Sequence, residues 1–452
     1  MKKQLSPKRH LTRRRRARRR VAARAVAVAV AVTVAVAVAR FNGLRARERT
    51  ANDAFMQPTC RAVTPLLAVL AAMRRRRAVL AAVALLAVAS VATARGLTPV
   101  ARCYAAPTPA NDRRSDASSS RITIGTFNAM FLFDGVGDVA VSPYSGGTAA
   151  DVAAADAHIV AVRDGVVRAL DVDVLVVAEA ETCGTLARVA AANVNYAAGM
   201  IDGTDTYTGQ EIGMLTKVDV EVDFQRTEVR GEYSAGTSSC GYVGSKDSAV
   251  SKHFWTRIKI VNRYVSIIAA HLKANPTEAS SCAQREAQVE VLRDLVTTRY
   301  AAGDAVVVLG DLNDYSAKYM DVSGNVPTSR VIANLRDFDG DGVDELEEVS
   351  SVIAQSSRYT YQSSSGSSKS MLDHILVSKA DIDIVDATIR HDVVSSRSVS
   401  DHFPLVATLD ILAERNESRL PTSSSTTPRD TSVWRAFVVA GGVAAVLLHI
   451  AH

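Results

Sequence analysis

Aromatic residues are scarce, 5 percent of the chain, and nowhere do they interleave with a run of basic residues. That pattern excludes the usual stacking surface for single-stranded nucleic acid. Cysteine is rare, five in 452 residues, and no two stand in a Cys-x-x-Cys spacing, so a structural zinc site has no support. No internal repeat is visible. Apolar runs stay short: 25–39 and 436–451 hold 15 and 16 residues, against the roughly 20 of an ordinary membrane span. Acidic residues are nearly missing from the first 120 positions, which hold 4 Asp/Glu beside 25 Lys/Arg.

The overall charge of +6 therefore conceals two different parts. Residues 121–412 hold 24 Lys/Arg against 40 Asp/Glu, a net charge of −16. The basic character belongs to an N-terminal extension, and the part able to fold is acidic. An acidic domain repels polyanions unless a metal or a local basic stripe offsets its field.

The ends of the chain read as targeting segments. Within 73–94, four arginines (74–77) precede an apolar stretch (78–91) and an Ala92-Thr93-Ala94 cleavage pattern, the layout of a secretory signal peptide. Residues 1–72 then form a basic, Ala/Val-rich, low-complexity leader. Taken at face value, that leader is an intracellular nucleic-acid-binding tail, which the signal peptide argues against. At the other end, small residues (423–427), a polar spacer (428–435) and the terminal apolar run fit a glycosylphosphatidylinositol anchor signal. A single transmembrane helix is the alternative for 435–452. The expected location is the secretory pathway, ending extracellularly or at the cell surface, anchored to the membrane.

Cleavage after Ala94 leaves Cys103, Cys183, Cys240 and Cys282. Four cysteines allow three pairings. Cys240 with Cys282 is the expected pair, since both lie close to the strands that carry the candidate site. Residues 95–120 read as a linker and 413–434 as a Ser/Thr/Pro-rich stalk carrying the sequon Asn416-Glu417-Ser418.

Between these lies one domain, 121–412. Apolar or alternating runs predict strands at 121–127, 172–178, 212–217, 256–261, 264–272, 305–309, 372–377 and 403–409. Helical spacing appears at 154–170 and 283–299. The alternation is too irregular for one parallel sheet. It predicts an α/β (α+β) chain folded as a four-layer sandwich, two packed mixed β-sheets flanked by helices.

Polar residues with chemical use stand at the ends of these runs. Asn128 ends the first, and Glu179 follows the second. Tyr264–Ala270 leads into His271-Leu272-Lys273, and Val306–Leu309 into Gly310-Asp311-Leu312-Asn313-Asp314. Asp373-His374 follows Met371-Leu372, and Asp401-His402 follows Val399-Ser400. Singly, each is an ordinary turn or cap residue. Jointly they assemble what phosphoester hydrolysis requires. A hard cation takes carboxylate and amide oxygens, a histidine activates water near neutral pH, and a cation or donor answers charge on the phosphoryl oxygens.

With Thr126-Phe127-Asn128, Glu179, His271-Leu272-Lys273, Gly310-Asp311-Leu312-Asn313, Asp373-His374-Ile375-Leu376 and Ser400-Asp401-His402 in this order, the chain resembles the endonuclease/exonuclease/phosphatase superfamily. Deoxyribonucleases, apurinic endonucleases, inositol phosphatases and neutral sphingomyelinases belong to it. Gly203–Gln210, Val250–Phe254 and Cys282–Gln288 look like a secreted eukaryotic-type branch of it. The resemblance implies Mg²⁺ or Mn²⁺ held by Glu179 and Asp401 with Asn128 nearby. It implies His402 as general base, oriented by Asp373. Asp311 and Asn313 would position the nucleophile or a second ion. His271 would donate to a phosphoryl oxygen, with Gln210 orienting it. Lys252 and Arg257 are candidate phosphate contacts. The family usually has Gln before the metal-binding Glu, where this chain has Ala178, so altered hydrogen bonding around that carboxylate is expected.

One motif stands outside this set. Asp337, Asp339, Asp341 and Glu348 match the Asp-x-Asp-x-Asp-Gly-x5-Glu spacing of a calcium loop, with a structural Ca²⁺ as the expected occupant.

The expected function is a metal-dependent phosphoesterase acting as a monomer, with a nuclease the first reading. A lipid or soluble phosphoester phosphatase is an alternative, supported by the acidic domain and the membrane anchor. A catalytically inactive cell-surface binding protein is another, opposed by the intact Asp311, Asn313, Asp401 and His402.

Overall fold

Alternation along the strands divides the core into layers. In 305–309, Ala305, Val307 and Leu309 face one way and Val306 and Val308 the other, and all five are buried. A strand buried on both faces needs cover on both. The computed structural model describes Cys103, Ala106 and residues 110–419 apart from 237. The leader, the signal peptide and the C-terminal anchor segment lie outside the described residues.

Among the described residues the strands are, in order, β1 (Arg121–Leu132), β2 (Val174–Ala180), β3 (Ala197–Met200), β4 (Glu211–Thr216), β5 (Val220–Gln225), β6 (Arg230–Glu232), β7 (Asp247–Ala249), β8 (Lys252–Ile260), β9 (Arg263–His271), β10 (Ala305–Asp311), β11 (Leu346–Glu348), β12 (Tyr361–Gln362), β13 (Lys369–Ser370), β14 (Asp373–Ser378), β15 (Ile382–Ile389) and β16 (Leu405–Ile411). One six-stranded sheet has the order β15-β16-β1-β2-β4-β3 and the other β11-β14-β10-β9-β8-β5. Only β1–β2 and β9–β10 are parallel within them.

The sheets meet through Ile124, Val176 and Met214 on one side and Phe254, Ile267 and Val307 on the other. Outside the first sheet, Phe127, Leu175 and Val177 pack on α1 (Ala149–Ala161), its continuation through a π turn (Val162–Val167), and α2 (Cys183–Ala190). Outside the second, Ile268, Val306 and Leu376 pack on α3 (Ala279–Ala301) and α4 (Val331–Arg336). This is the expected four-layer sandwich of mixed sheets.

The eight expected strands all form, with shifted ends. Both expected helices start earlier. Thr148 and Asp151 make a capping box that opens α1 at Ala149, and the Glu278 carboxylate accepts from Ser280 and Ser281 to open α3 at Ala279. The strands not foreseen are short or lie at sheet edges, where fewer inward positions repeat. β15, for example, leaves Val385 exposed.

Two segments expected as connectors pack on the domain. In the linker, Arg114 is buried and donates to Asp112 and to the Arg121 carbonyl. In the stalk, Arg415 stacks on Tyr300 and pairs with Asp381. Cys240 and Cys282 form the expected disulfide, and Cys103 pairs with Cys183.

Candidate active site

Strand register brings the polar strand ends to one edge of the double sheet. Parallel pairing sets Asn128 beside Ala178, so β1 and β2 deliver Asn128 and Glu179 together. Antiparallel pairing sets Asp311 of β10 opposite Asp373 of β14, and His271 of β9 opposite Lys252 of β8. Leu405 pairs with Thr126, which places His402 beside the end of β1.

Local backbone distortions aim the side chains. Glu179 sits in a bulge of β2 with φ +63°, in the left-handed region that non-glycine residues seldom adopt. Its Oε1 accepts from the Asn128 amide at 3.1 Å and its Oε2 from the Phe131 N–H at 3.0 Å. Asn128 and Phe131 thus satisfy the Glu179 carboxylate, while Ala178 faces the inter-sheet core. Gly310 has φ +138°, and a Cβ there would lie 2.0 Å from the Ala270 carbonyl oxygen. Only glycine lets β10 run so close to β9 just before Asp311.

At the centre, His402 Nδ1 and Asp373 Oδ2 lie 2.7 Å apart, both side chains buried. Asp311 Oδ2 is 3.9 Å from His402 Nε2, 3.6 Å from His271 Nε2 and 2.9 Å from the Asn128 amide nitrogen. Asn313 closes the turn: its N–H donates to Asp311 Oδ1 at 3.1 Å and its amide to the Leu272 carbonyl at 3.3 Å. The structure thus brings together Asn128, Glu179, His271, Asp311, Asn313, Asp373 and His402.

Burial displaces several of these groups from their ordinary ranges. Burial raises the Asp311 and Glu179 carboxyls; Asp373 adds to the rise at Asp311, and Asn128 opposes it at both. Burial pushes His271 well below its ordinary range, helped by Lys252 and His402, so it is neutral. Burial would lower His402 as well, but Asp373, Asp311 and Asp401 outweigh it and push the imidazole up to about 10.

The other expected residues fall differently. Lys252 lines a cleft of about 410 Å³ with Glu179, Asp205, Gln210, His271 and Gln288. It pairs with Asp205 at 3.4 Å and donates to Gln210 at 3.4 Å. Gln210 therefore holds Lys252 rather than His271, whose Nδ1 has no hydrogen-bond partner among the described residues. Asp401 lines a neighbouring cleft of about 310 Å³ with Gln362 and Arg397, and its carboxylate meets Arg397 at 3.5 Å. Arg257 is not in the site. It faces Asp304 at 3.8 Å and stacks on Tyr264, five residues along β8 from Lys252, which is about 17 Å.

The expected calcium ligand Glu348 is also elsewhere. Its buried carboxylate accepts from Ser316 at 2.7 Å and lies 3.4 Å from Arg336 and 3.6 Å from His374. Glu345 takes its place, with an oxygen within 4.8 Å of those of Asp337 and Asp339. The chain leaves this loop as a strand, not a helix, and a strand carries position twelve about 10 Å away from position nine.

Sequence alone assigns no role to Ser400, Thr360 or Tyr361. Ser400 Oγ donates to the Asn128 carbonyl at 2.7 Å and accepts from the His402 N–H at 2.9 Å, tying β1 to the histidine. Thr360 Oγ1 accepts from the Asp373 N–H, and the Tyr361 ring lies edge-on to His402 at 5.3 Å. Ser400 was marked by the Ser-Asp-His triplet. Thr360 and Tyr361 carry no local signal, because only folding brings them to His402.

The donor set fits a divalent cation. Glu179 and Asp311 offer hard oxygens, both desolvated, and Asp311, Asp373 and His402 place ligand atoms within 4.8 Å of one another.

The model of the Endonuclease/Exonuclease/phosphatase family matches residues 126–402. The chain belongs to that family. Endonuclease/Exonuclease/phosphatase proteins are hydrolases of phosphoester substrates that use divalent metals, and the match begins two residues before Asn128 and ends on His402. No curated protein matches the sequence. Among solved structures, truncated TDP2 from Caenorhabditis elegans is 16% identical, with 64% of this chain and 98% of that one covered at a TM-score of 0.39. The human Nocturnin catalytic domain is 15% identical over 65% and 94%, at 0.39. A mannosyl-6-phosphatase from Bacteroides thetaiotaomicron is 14% identical over 64% and 99%, at 0.39.

Proposed function

We propose that this protein is a Mg²⁺- or Mn²⁺-dependent phosphodiesterase, a nuclease in the first instance, that hydrolyses its substrate by in-line attack of water. The observation that carries the reading is the buried Asp373–His402 pair facing Asp311, with Asn128 and Glu179 alongside. Asp373 accepts from Nδ1 of His402 and so leaves Nε2 directed at Asp311, where water would sit. His402 Nε2 takes one water proton as the water oxygen bonds to phosphorus and the bond from phosphorus to the leaving oxygen breaks. Asp311 and Asn313 orient that water. His271, neutral, and Lys252 donate to phosphoryl oxygens.

Glu179 and Asp311, with Asn128 and Asp401 adjoining, would hold the ion, which when bound supplies Lewis-acid polarisation of a phosphoryl oxygen. A cation there also opposes the carboxylate field that keeps His402 protonated.

A lipid or soluble phosphoester is the second reading, favoured by the net charge of −16 over 121–412. The two disulfides support an oxidising compartment. With the signal-like segment at 73–94 and the anchor-like 435–452, they favour a secreted, membrane-anchored protein of a eukaryotic-type branch, which we propose acts as a monomer. Among the described residues no helix is long and apolar enough to cross a membrane.

The test is Mg²⁺-dependent turnover of plasmid DNA, RNA, a phospholipid panel and bis-p-nitrophenyl phosphate, beside His402→Ala. We expect turnover that needs the metal and falls by about 10²–10⁴-fold in the variant. Folded wild-type protein without turnover on every substrate would move the reading to a non-catalytic surface binding protein.

A further inference from the structure

The loop between α4 and β11 lies away from the catalytic edge. Leu346 pairs with Ser378, five residues along β14 from Asp373, so the loop stands about 17 Å from that end of the sheet. Its backbone is tightly held. The Glu345 N–H donates to the Arg336 carbonyl at 2.8 Å, and the Glu345 carbonyl accepts from the Lys379 N–H at 3.0 Å. Arg293 of α3 donates to the Phe338 carbonyl at 3.0 Å. Inside the loop, Asp337 accepts from the Gly340 and Gly342 N–H groups, which turns the chain back on itself.

This frame directs carboxylates inward. Oxygens of Asp337, Asp339 and Glu345 all lie within 4.8 Å of one another, the span of two ligands on opposite sides of an ion about 2.4 Å from each. Glu345 is only 5% exposed, and its Oε2 has no hydrogen-bond partner among the described residues. No Lys, Arg or His among the described residues pairs with Asp337 or Glu345. The nearby cations Lys318 and Arg336 go instead to Asp344, at 3.2 and 3.7 Å. A buried carboxylate with one oxygen left unpartnered beside two other carboxylates is unfavourable in its charged form unless a cation completes it.

We propose that the 337–345 loop is a structural Ca²⁺ site in which Asp337, Asp339 and Glu345 are ligands, with Glu345 in the role that spacing alone would give to Glu348. An all-carboxylate set on an irregular loop suits Ca²⁺, which takes six to eight oxygens in flexible geometry; Mg²⁺ keeps its waters and its octahedron. Gly342, at φ +87°, supplies the turn after the third aspartate. The bound ion ties α4 to β11, and so secures the edge beside β14, the strand that carries Asp373.

The full chain, stripped of metal and returned to saturating Mg²⁺ so that the catalytic centre is filled, is titrated with CaCl₂ in a calorimeter and melted with and without Ca²⁺. We expect Ca²⁺ binding that Mg²⁺ does not abolish and a Ca²⁺-dependent rise in Tm. Both should be lost, or weakened at least about tenfold, in Glu345→Gln and in Asp339→Asn, and both should persist in Glu348→Gln. Asp339→Asn changes an exposed residue and keeps the test open if the buried variant folds poorly. A wild-type protein indifferent to Ca²⁺ would overturn the proposal, as would a response undiminished in Glu345→Gln and Asp339→Asn.

Discussion

His402 is pulled in two directions, because burial favours the neutral ring while Asp373, Asp311 and Asp401 favour the cation. Removing one of those charges changes both the orientation and the basicity of the ring. Asp373→Asn keeps the shape of the 2.7 Å contact but not its charge. Turnover should drop about 10²-fold or more, and the rising, acid-side limb of the pH–rate profile, which reports the general base, should move to lower pH; an unchanged profile would mean that Asp373 only packs. Glu211 offers a test in stability instead. Burial first, then Asp202 and Asp205, push its carboxyl up to about 8 against the Gly203 and Lys252 contacts, and its Oε2 lacks a partner among the described residues. The folded chain therefore holds a proton that the unfolded chain releases from about pH 4.5. Stability from this group is complete below pH 4.5 and is lost as pH rises to about 8. Glu211→Gln should flatten that fall by on the order of a few kcal/mol in denaturant titrations across the window.

The elements matter through how closely they approach. β9 and β10 touch so nearly at Gly310 that any Cβ would meet the Ala270 carbonyl. Gly310→Ala should cost about 2–4 kcal/mol by the denaturant midpoint, and turnover should suffer further because Asp311 is the next residue. Strand existence was legible in the sequence wherever both faces are buried, since such runs are long and apolar. The strands it missed, such as β15 and β5, are sheet edges whose partner, not whose pattern, makes them strands. Helix starts were missed where a cap lay outside the apolar repeat, as at Thr148.

For the whole molecule, the field of the acidic domain decides how a polyanion is received. With −16 over residues 121–412, few phosphates should be neutralised if a nucleic acid binds. Any nuclease activity should therefore show a shallow dependence of KM on salt, with a log–log slope of no more than about 2 to 3. A steep slope would reveal a basic path assembled around Lys252 and Lys273.

The sequence by itself determined the sandwich, the order of the polar strand ends and the chemistry they can perform, because burial and strand period are written locally. Tertiary structure decided which of those ends meet. Register set Asp311 opposite Asp373 and His271 opposite Lys252, joined Gln210 to Lys252, and left Arg257 far along β8. It also replaced Glu348 by Glu345 in the acidic loop. Spacing along a chain becomes distance in space only after the element that follows is known to be a strand or a helix. Position twelve returns to an ion on a helix and departs from it on β11.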